Sequence, residues 1–298
     1  MSFSSSVKTK LCELNITSPE ALHAFVYGFL LFSKDFSFEK ISATSETSQT
    51  LGYVAKCANK LLGEKISVVR ELNSSSKKLF ELTFPDSSEK LFRFFKHKKN
   101  SPERRIAYDN LSEDTFPFFV RGVFLACGTV SDPNKLYRLE FSTPFMKLSL
   151  DLMKLLGEQI YPPLSSVRQK SFILYYKESS AVEDLLTYCG AVKSSLQLME
   201  IKVVKNVRNK INRVTNCETA NISKVVNAAV AINKDIALIL EKRSIEYLSE
   251  DLRELALLRY NNPEMSIRDL GEALDPPLSR SGVAHRLKRI SAAAESLK

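Results

Sequence analysis

The 298-residue chain has no tryptophan, nine glycines and only three histidines. His23, His97 and His285 are too dispersed to form a metal cluster. There is no glycine-rich loop of the kind that cradles phosphate, and no nucleophile stands beside a base in any recognisable pattern. The five cysteines (Cys12, Cys57, Cys127, Cys189, Cys217) are odd in number, scattered and without a C-x-x-C pair. That argues against a disulfide framework and a zinc site, and fits reduced thiols in a cytoplasmic protein. The start of the chain lacks the apolar core of a signal peptide. The longest apolar stretch, Phe25 to Phe32, is far too short to span a bilayer. No metal, cofactor or membrane is therefore expected.

What is present is basic charge on a globular composition. Hydrophobic residues make up 44% and charged residues 26%, with a net charge of +9 and a pI near 9.2. Length suggests about two domains, and the charge favours a polyanionic partner, most simply nucleic acid.

The most informative stretch is Ser266 to Ile290, SIRDLGEALDPPLSRSGVAHRLKRI. Ser266 and Asp269 have capping-box spacing, and Ile267, Leu270 and Leu274 share a face. Asp275-Pro276-Pro277 ends that helix, because proline has no N–H to donate and disfavours helical angles in the residue before it. A second helix begins near Ser279, with Val283, Leu287, Ile290 and Ala294 at inward spacing. Ser281, His285 and Lys288 point the other way, with Arg289 beside them and Arg286 nearer the buried edge. A helix-turn-helix needs this arrangement: one helix braces while the second enters the major groove. The predicted DNA-binding residues are Ser279, Arg280, Ser281, His285, Arg286, Lys288 and Arg289, the basic ones facing phosphates and some of the polar ones base edges. The same pattern is also open to an ordinary helical hairpin with a solvated basic face.

Residues 1 to 190 contain a repeat. Lys60–Ile66 and Lys154–Ile160 agree at six of seven positions, 94 residues apart, and the same offset maps Gly28 onto Gly122. Leu79-Phe80 maps onto Ile173-Leu174 in the same way, and Leu91-Phe92 onto Leu185-Leu186. Copies at about 15–99 and 110–190 share an element order. The first reads as an apolar helix at 19–34, an extended segment at 36–44 and a helix at 47–62. A hairpin with its turn at Asn73–Ser76 follows, then a helix at 87–98. The second reads as helix 117–128, strand 137–141, helix 144–156, one or two strands within 166–176 and helix 179–189. This order is that of an α+β fold. The two opening helices are apolar nearly all round, which predicts that they pack on each other at a pseudo-twofold axis.

Between the repeat and the helix-turn-helix lies a stretch without glycine or proline, 191–262, read as a helical joint. Lys202, Lys205, Arg208, Lys210 and Arg213 fall within it with no acid among them. They are possible phosphate contacts or a solvated connector. Val225 to Leu240 reads as a helix opening the C-terminal module. A second basic cluster, Arg93, Lys96, His97, Lys98, Lys99, Arg104 and Arg105, reads as a solvated inter-repeat loop or a further DNA contact.

VRGVFLACGT at Val120–Thr129 resembles a LAGLIDADG helix, and VYGFLLFSK at Val26–Lys34 a more degenerate one. In LAGLIDADG homing endonucleases such helices form the interface between half-domains, and an acid near each end holds the metals that cleave DNA. The matching positions here are Ser33 and Cys127. A hydroxyl and a thiol do not replace two carboxylates around hard Mg²⁺, so no catalytic residue is assigned. Asp35 and Asp132 lie nearby but do not correspond in the repeat. RGVFLACGTVSDP, RLEFSTP, Asn216–Asn221 and LDPPLSRSGVAHRL together resemble the WhiA family of bacterial regulators. Its members join a degenerate LAGLIDADG domain to a C-terminal helix-turn-helix similar to that of sigma factors. The resemblance implies an α+β, duplicated LAGLIDADG-like domain at 1–190, a basic linker at 191–217 and an all-α helix-turn-helix domain at 218–298. It implies a non-enzymatic, nucleoid-associated regulator of cell-division or sporulation genes. Double-stranded DNA is the expected partner, with another transcription or division factor as a further possibility; the oligomeric state is open, a monomer being the default. The alternatives are a chromosome-associated interaction protein acting through the LAGLIDADG-like half, and a DNA endonuclease.

Overall fold

The computed structural model describes residues 2–72, 78–99 and 103–298, so the turn expected at Asn73–Ser76 lies outside the described residues. Two compact units divide the chain, Met1–Lys205 and Asn206–Lys298.

The first unit opens with α1 (Phe3–Cys12), which the sequence reading did not anticipate. Only Val7 and Leu11 of this helix are buried, too few to print a periodic signal. Two copies of one pattern follow. The first runs α2 (Pro19–Leu31), β1 (Asp35–Phe36), β2 (Ile41–Ser45), α3 (Ser48–Leu62), β3 (Val68–Leu72), β4 (Leu79–Thr83) and α4 (Ser88–Phe94). The second runs α5 (Phe116–Cys127), β5 (Gly128–Val130), β6 (Leu139–Thr143), α6 (Met146–Gln159), β7 (Leu164–Arg168), β8 (Ser171–Tyr176) and α7 (Ser179–Tyr188). The sheets have the antiparallel orders β1-β2-β4-β3 and β5-β6-β8-β7.

The extended segment at 36–44 is thus two strands, and β5 is an additional strand. The helix expected to reach residue 98 stops at Phe94, just before Lys96 takes a positive φ of 59°. The single 94-residue offset drifts along the chain. Leu82 shifted by 94 is Tyr176, which pairs with Leu139 and not with Tyr137, the residue 94 after its own partner Ala43. The topology is duplicated, while small insertions moved the register.

Ser18 caps α2 by accepting from the Ala21 N–H at 3.2 Å, with Pro19 in the first turn. Ten of the thirteen α2 residues are buried, as are eight of the twelve in α5, so neither helix has a solvent face of any width. The two cross at Gly28 and Gly122. A Cβ on Gly28 would stand 2.4 Å from the Phe119 carbonyl oxygen, and one on Gly122 would stand 2.2 Å from that of Phe25. Residues 94 apart serve the same crossing, and the close backbone approach leaves room for no side chain at either position.

Arg93, Lys96, Lys98, Lys99 and Arg105 of the basic cluster are exposed, as a solvated loop would have them, while His97 and Arg104 are half-buried and several of these side chains have partners within the unit. Arg105 makes a bidentate pair with buried Asp151 at 2.6 and 2.7 Å, and the Ile106 N–H joins the same carboxylate at 3.1 Å. Lys96 donates to the Asp109 carbonyl, Arg93 pairs with Glu89, and Lys99 lies 4.5 Å from the Phe38 ring centre. Tyr27 Oη accepts from the Ala107 N–H at 2.7 Å and faces His97 Nε2 at 3.0 Å. Burial, helped by the nearby Arg104 charge, pulls the His97 pKa down to about 4. The unfolded chain binds this proton near pH 6.5 and the folded chain does not. Stability is full above pH 6.5 and is lost as pH falls toward 4. His97→Phe should flatten that part of the melting-temperature profile, measured by calorimetry across pH 4–8.

The helix α8 (Val192–Lys242) is a single element of 51 residues, so the helix expected to begin near Val225 is the continuation of one already formed. The second unit takes its core from the end of α8 (Ile236, Ile239), from α9 (Glu250–Asn261), α10 (Ile267–Glu272) and α11 (Arg280–Glu295). Leu252, Leu255 and Ala256 of α9 are buried there, as are Leu270, Leu274, Val283, Leu287, Ile290 and Ala294 on the faces that periodicity marked, with Ile267 partly buried. Among the described residues no helix is long and apolar enough to cross a membrane.

Candidate nucleic-acid interface

α10 and α11 form the helix-turn-helix. Ser266 Oγ accepts from the Asp269 N–H at 3.2 Å and meets its carboxylate at 2.8 Å. Ser279 accepts from the Gly282 N–H at 3.2 Å and starts α11. The turn is tight because the Leu278 N–H donates to the Gly271 carbonyl at 2.9 Å. A Cβ on Gly271 would come within 2.3 Å of the Leu278 carbonyl oxygen.

The seven candidate residues separate into two groups. Ser279, Arg280, Ser281, His285 and Lys288 are exposed, and among the described residues no side chain pairs with Arg280, His285 or Lys288. The Ser279 and Ser281 hydroxyls lie 3.0 Å apart. Arg289, also exposed, and half-buried Arg286 reach the N-terminus of α9. Arg286 donates to the Asp251 carbonyl at 2.9 Å, and Arg289 pairs with the Asp251 carboxylate at 2.6 Å. Hydrogen bonds from Ser249 and Arg289 hold the Asp251 carboxyl below its usual range. The pairing of Asp251 with an arginine 38 residues away leaves no local signal in the sequence.

The 202–213 stripe divides in the same way. Lys202 donates to buried Glu183 at 3.0 and 3.3 Å, and Lys205 donates to the Pro133 carbonyl at 2.7 Å beside the Tyr137 ring. Arg208, Lys210 and Arg213 are exposed. Lys202→Ala is therefore expected to lower the melting temperature by leaving Glu183 buried without its cation. Arg208→Ala should leave it unchanged, a contrast read in one calorimetric comparison.

Two family models match the chain. The WhiA LAGLIDADG-like domain covers residues 116–208, and the WhiA C-terminal HTH domain covers 211–294. A probable cell division protein WhiA from Clostridium novyi (strain NT) is 35% identical over 317 residues, covering 100% of this chain and 99% of that protein. The chain belongs to the WhiA family. The corresponding protein from Clostridium beijerinckii is 33% identical with the same coverage. A crystal structure of full-length WhiA from Thermotoga maritima is 23% identical, covers 99% of each chain and superposes with a TM-score of 0.59, a likeness of fold. The WhiA fold here is the α+β, duplicated LAGLIDADG-like domain joined to a helical helix-turn-helix region.

In this WhiA-family chain the helix ends that would hold metal in a LAGLIDADG nuclease do not fit one. Ser33 is buried and its hydroxyl donates to the Phe29 carbonyl at 2.7 Å. Burial pushes the Cys127 thiol up to about 12, so it stays protonated. Asp35 is bound by Lys40 at 3.0 Å and by the Ser42 hydroxyl at 2.5 Å. Asp132 accepts from Asn134 within its own turn.

Proposed function

We propose that this chain is a sequence-specific, duplex-DNA-binding transcriptional regulator without nuclease activity, acting on genes of cell division or sporulation. The observation that carries the reading is the outer face of α11. Arg280, Ser281, His285 and Lys288 are solvent-facing and free of internal ion pairs, on a helix whose other face is locked into a core. Of these, Ser281 and His285 can read base edges, and Arg280 and Lys288 supply charge for phosphates or a guanine edge. Ser279 at the helix start can add a phosphate contact. Arg286 and Arg289 serve instead to fix α11 on α9, so their removal should weaken binding through the fold. Arg208, Lys210 and Arg213 supply sequence-independent affinity as a connector leading into the helix-turn-helix module.

The curated relatives bear the name of probable cell division proteins, which favours division genes as targets. A monomer in the nucleoid, assisted by another transcription or division factor, accommodates all these features. The test is chromatin immunoprecipitation with transcript profiling in cells carrying Arg280→Ala/His285→Ala at normal protein level. The reading predicts that discrete peaks disappear and nearby transcripts change. Retained peaks would move sequence recognition away from α11.

A further inference from the structure

The C-terminal ends of the paired helices carry a feature that the repeat does not explain. Leu31 in α2 and Leu125 in α5 are 94 residues apart and equivalent in the duplication. The carbonyl of each receives a cationic side chain from an element outside the repeated pattern. Arg104, from the segment between the copies, donates through Nη1 to Leu31 at 3.3 Å and to Ser33 at 2.8 Å, and through Nη2 to Phe36 at 3.4 Å. Its guanidinium lies 4.0 Å from the centre of the Phe145 ring. Lys8, from α1, donates to Leu125 at 3.2 Å with its ammonium 5.8 Å from the centre of the Phe124 ring.

The last carbonyls of a helix have no partner within it, and their aligned dipoles concentrate negative potential there. A pair of helices ending side by side doubles that demand for positive charge. In the nuclease fold, metal ions held by acids at the positions of Ser33 and Cys127 would meet it. Here unrelated side chains meet it at both ends.

We infer that each of these two ends is sealed by a resident cation, Arg104 at α2 and Lys8 at α5, which takes over the charge of the divalent ion and excludes it. Loss of the two acids is then only half of the change from a metal site. Restoring Asp at Ser33 and Cys127 would produce internal ion pairs with Arg104 and Lys8 and leave no carboxylate for a metal. A divalent ion entering beside either cation would also meet repulsion from a side chain that is tethered and partly desolvated. Burial lowers the pKa of Lys8 and brings that of Arg104 to about 10; the guanidinium remains charged at neutral pH.

The test uses the full chain. Ser33→Asp/Cys127→Asp and the fourfold variant that adds Lys8→Met/Arg104→Met are titrated with Mn²⁺ by calorimetry. The two-acid chain should bind Mn²⁺ at least about tenfold more weakly than the fourfold chain. Equal binding by the two, or a folded fourfold chain that takes no Mn²⁺, overturns the inference. Should the fourfold chain fail to fold, Lys8→Met and Arg104→Met decide singly in the otherwise unchanged protein. Each should lower the melting temperature by about 2–8 °C, with Lys8→Arg restoring most of the loss. Singles that melt with the parent would overturn it.

Discussion

Replacing Gly122 with valine is expected to abolish cooperative folding of the Met1–Lys205 unit. Even the Cβ of alanine would stand 2.2 Å from the Phe25 carbonyl oxygen and 2.7 Å from the Phe29 nitrogen, both of them backbone atoms of the facing helix. Relief requires the two helices to move apart, which opens the aromatic core around Phe25, Phe29, Phe119 and Phe124. Overpacking a well-ordered core costs about 1–3 kcal/mol when side chains alone must yield. Here backbones must yield along the central seam, so Gly122→Ala should exceed that range and the valine variant should not melt as a single transition. Gly52 is the internal control. It lies in α3 with nothing within 4 Å of its would-be Cβ. Gly52→Ala should raise stability by about 0.5–1 kcal/mol through helix propensity. Denaturant titrations of the three variants place both effects on one scale.

Gly271→Val should act as strongly on the other unit and leave the first intact. Its Cβ would press on the Leu278 carbonyl oxygen at 2.3 Å and on Val283 Cγ2 at 3.1 Å, forcing α10 off the start of α11. The two units have separate buried clusters, so damage to one need not spread to the other. The expected melt loses one component and keeps the transition of the Met1–Lys205 unit. Specific DNA affinity should fall to the non-specific level, a factor of roughly 10³ or more. Retained specificity with a collapsed second unit would transfer recognition to the first.

Much of this was legible in the chain itself. The helix-turn-helix was readable because its signals are local: Ser266 and Ser279 as caps, proline after α10, and a buried stripe of Val283, Leu287, Ile290 and Ala294 at helical spacing. The duplication was readable because Gly28 and Gly122 are held in place by one crossing. What stayed hidden depends on contacts distant in sequence. Arg286 and Arg289 look like their neighbours until Asp251 is brought beside them, and Lys202 and Lys205 look like part of a free stripe until Glu183 and Pro133 are. α1 left little trace because only two of its residues enter the core. Arg104 and Lys8 came from stretches that read as loop or as nothing in particular, because a cation that caps a distant helix has no periodicity of its own.

The most direct measurement of the central claim is fluorescence anisotropy with the full chain and a duplex selected by it from a random pool. It is run across a salt series, with and without Mg²⁺, beside Arg280→Ala/His285→Ala/Lys288→Ala. The account predicts that the substituted chain loses its preference for the selected duplex, each base-reading side chain contributing about 1–3 kcal/mol. It also predicts a shallower salt slope on removal of the phosphate contacts, and DNA that stays intact in Mg²⁺. Undiminished preference in the substituted chain, or Mg²⁺-dependent cleavage by the parent, would contradict it.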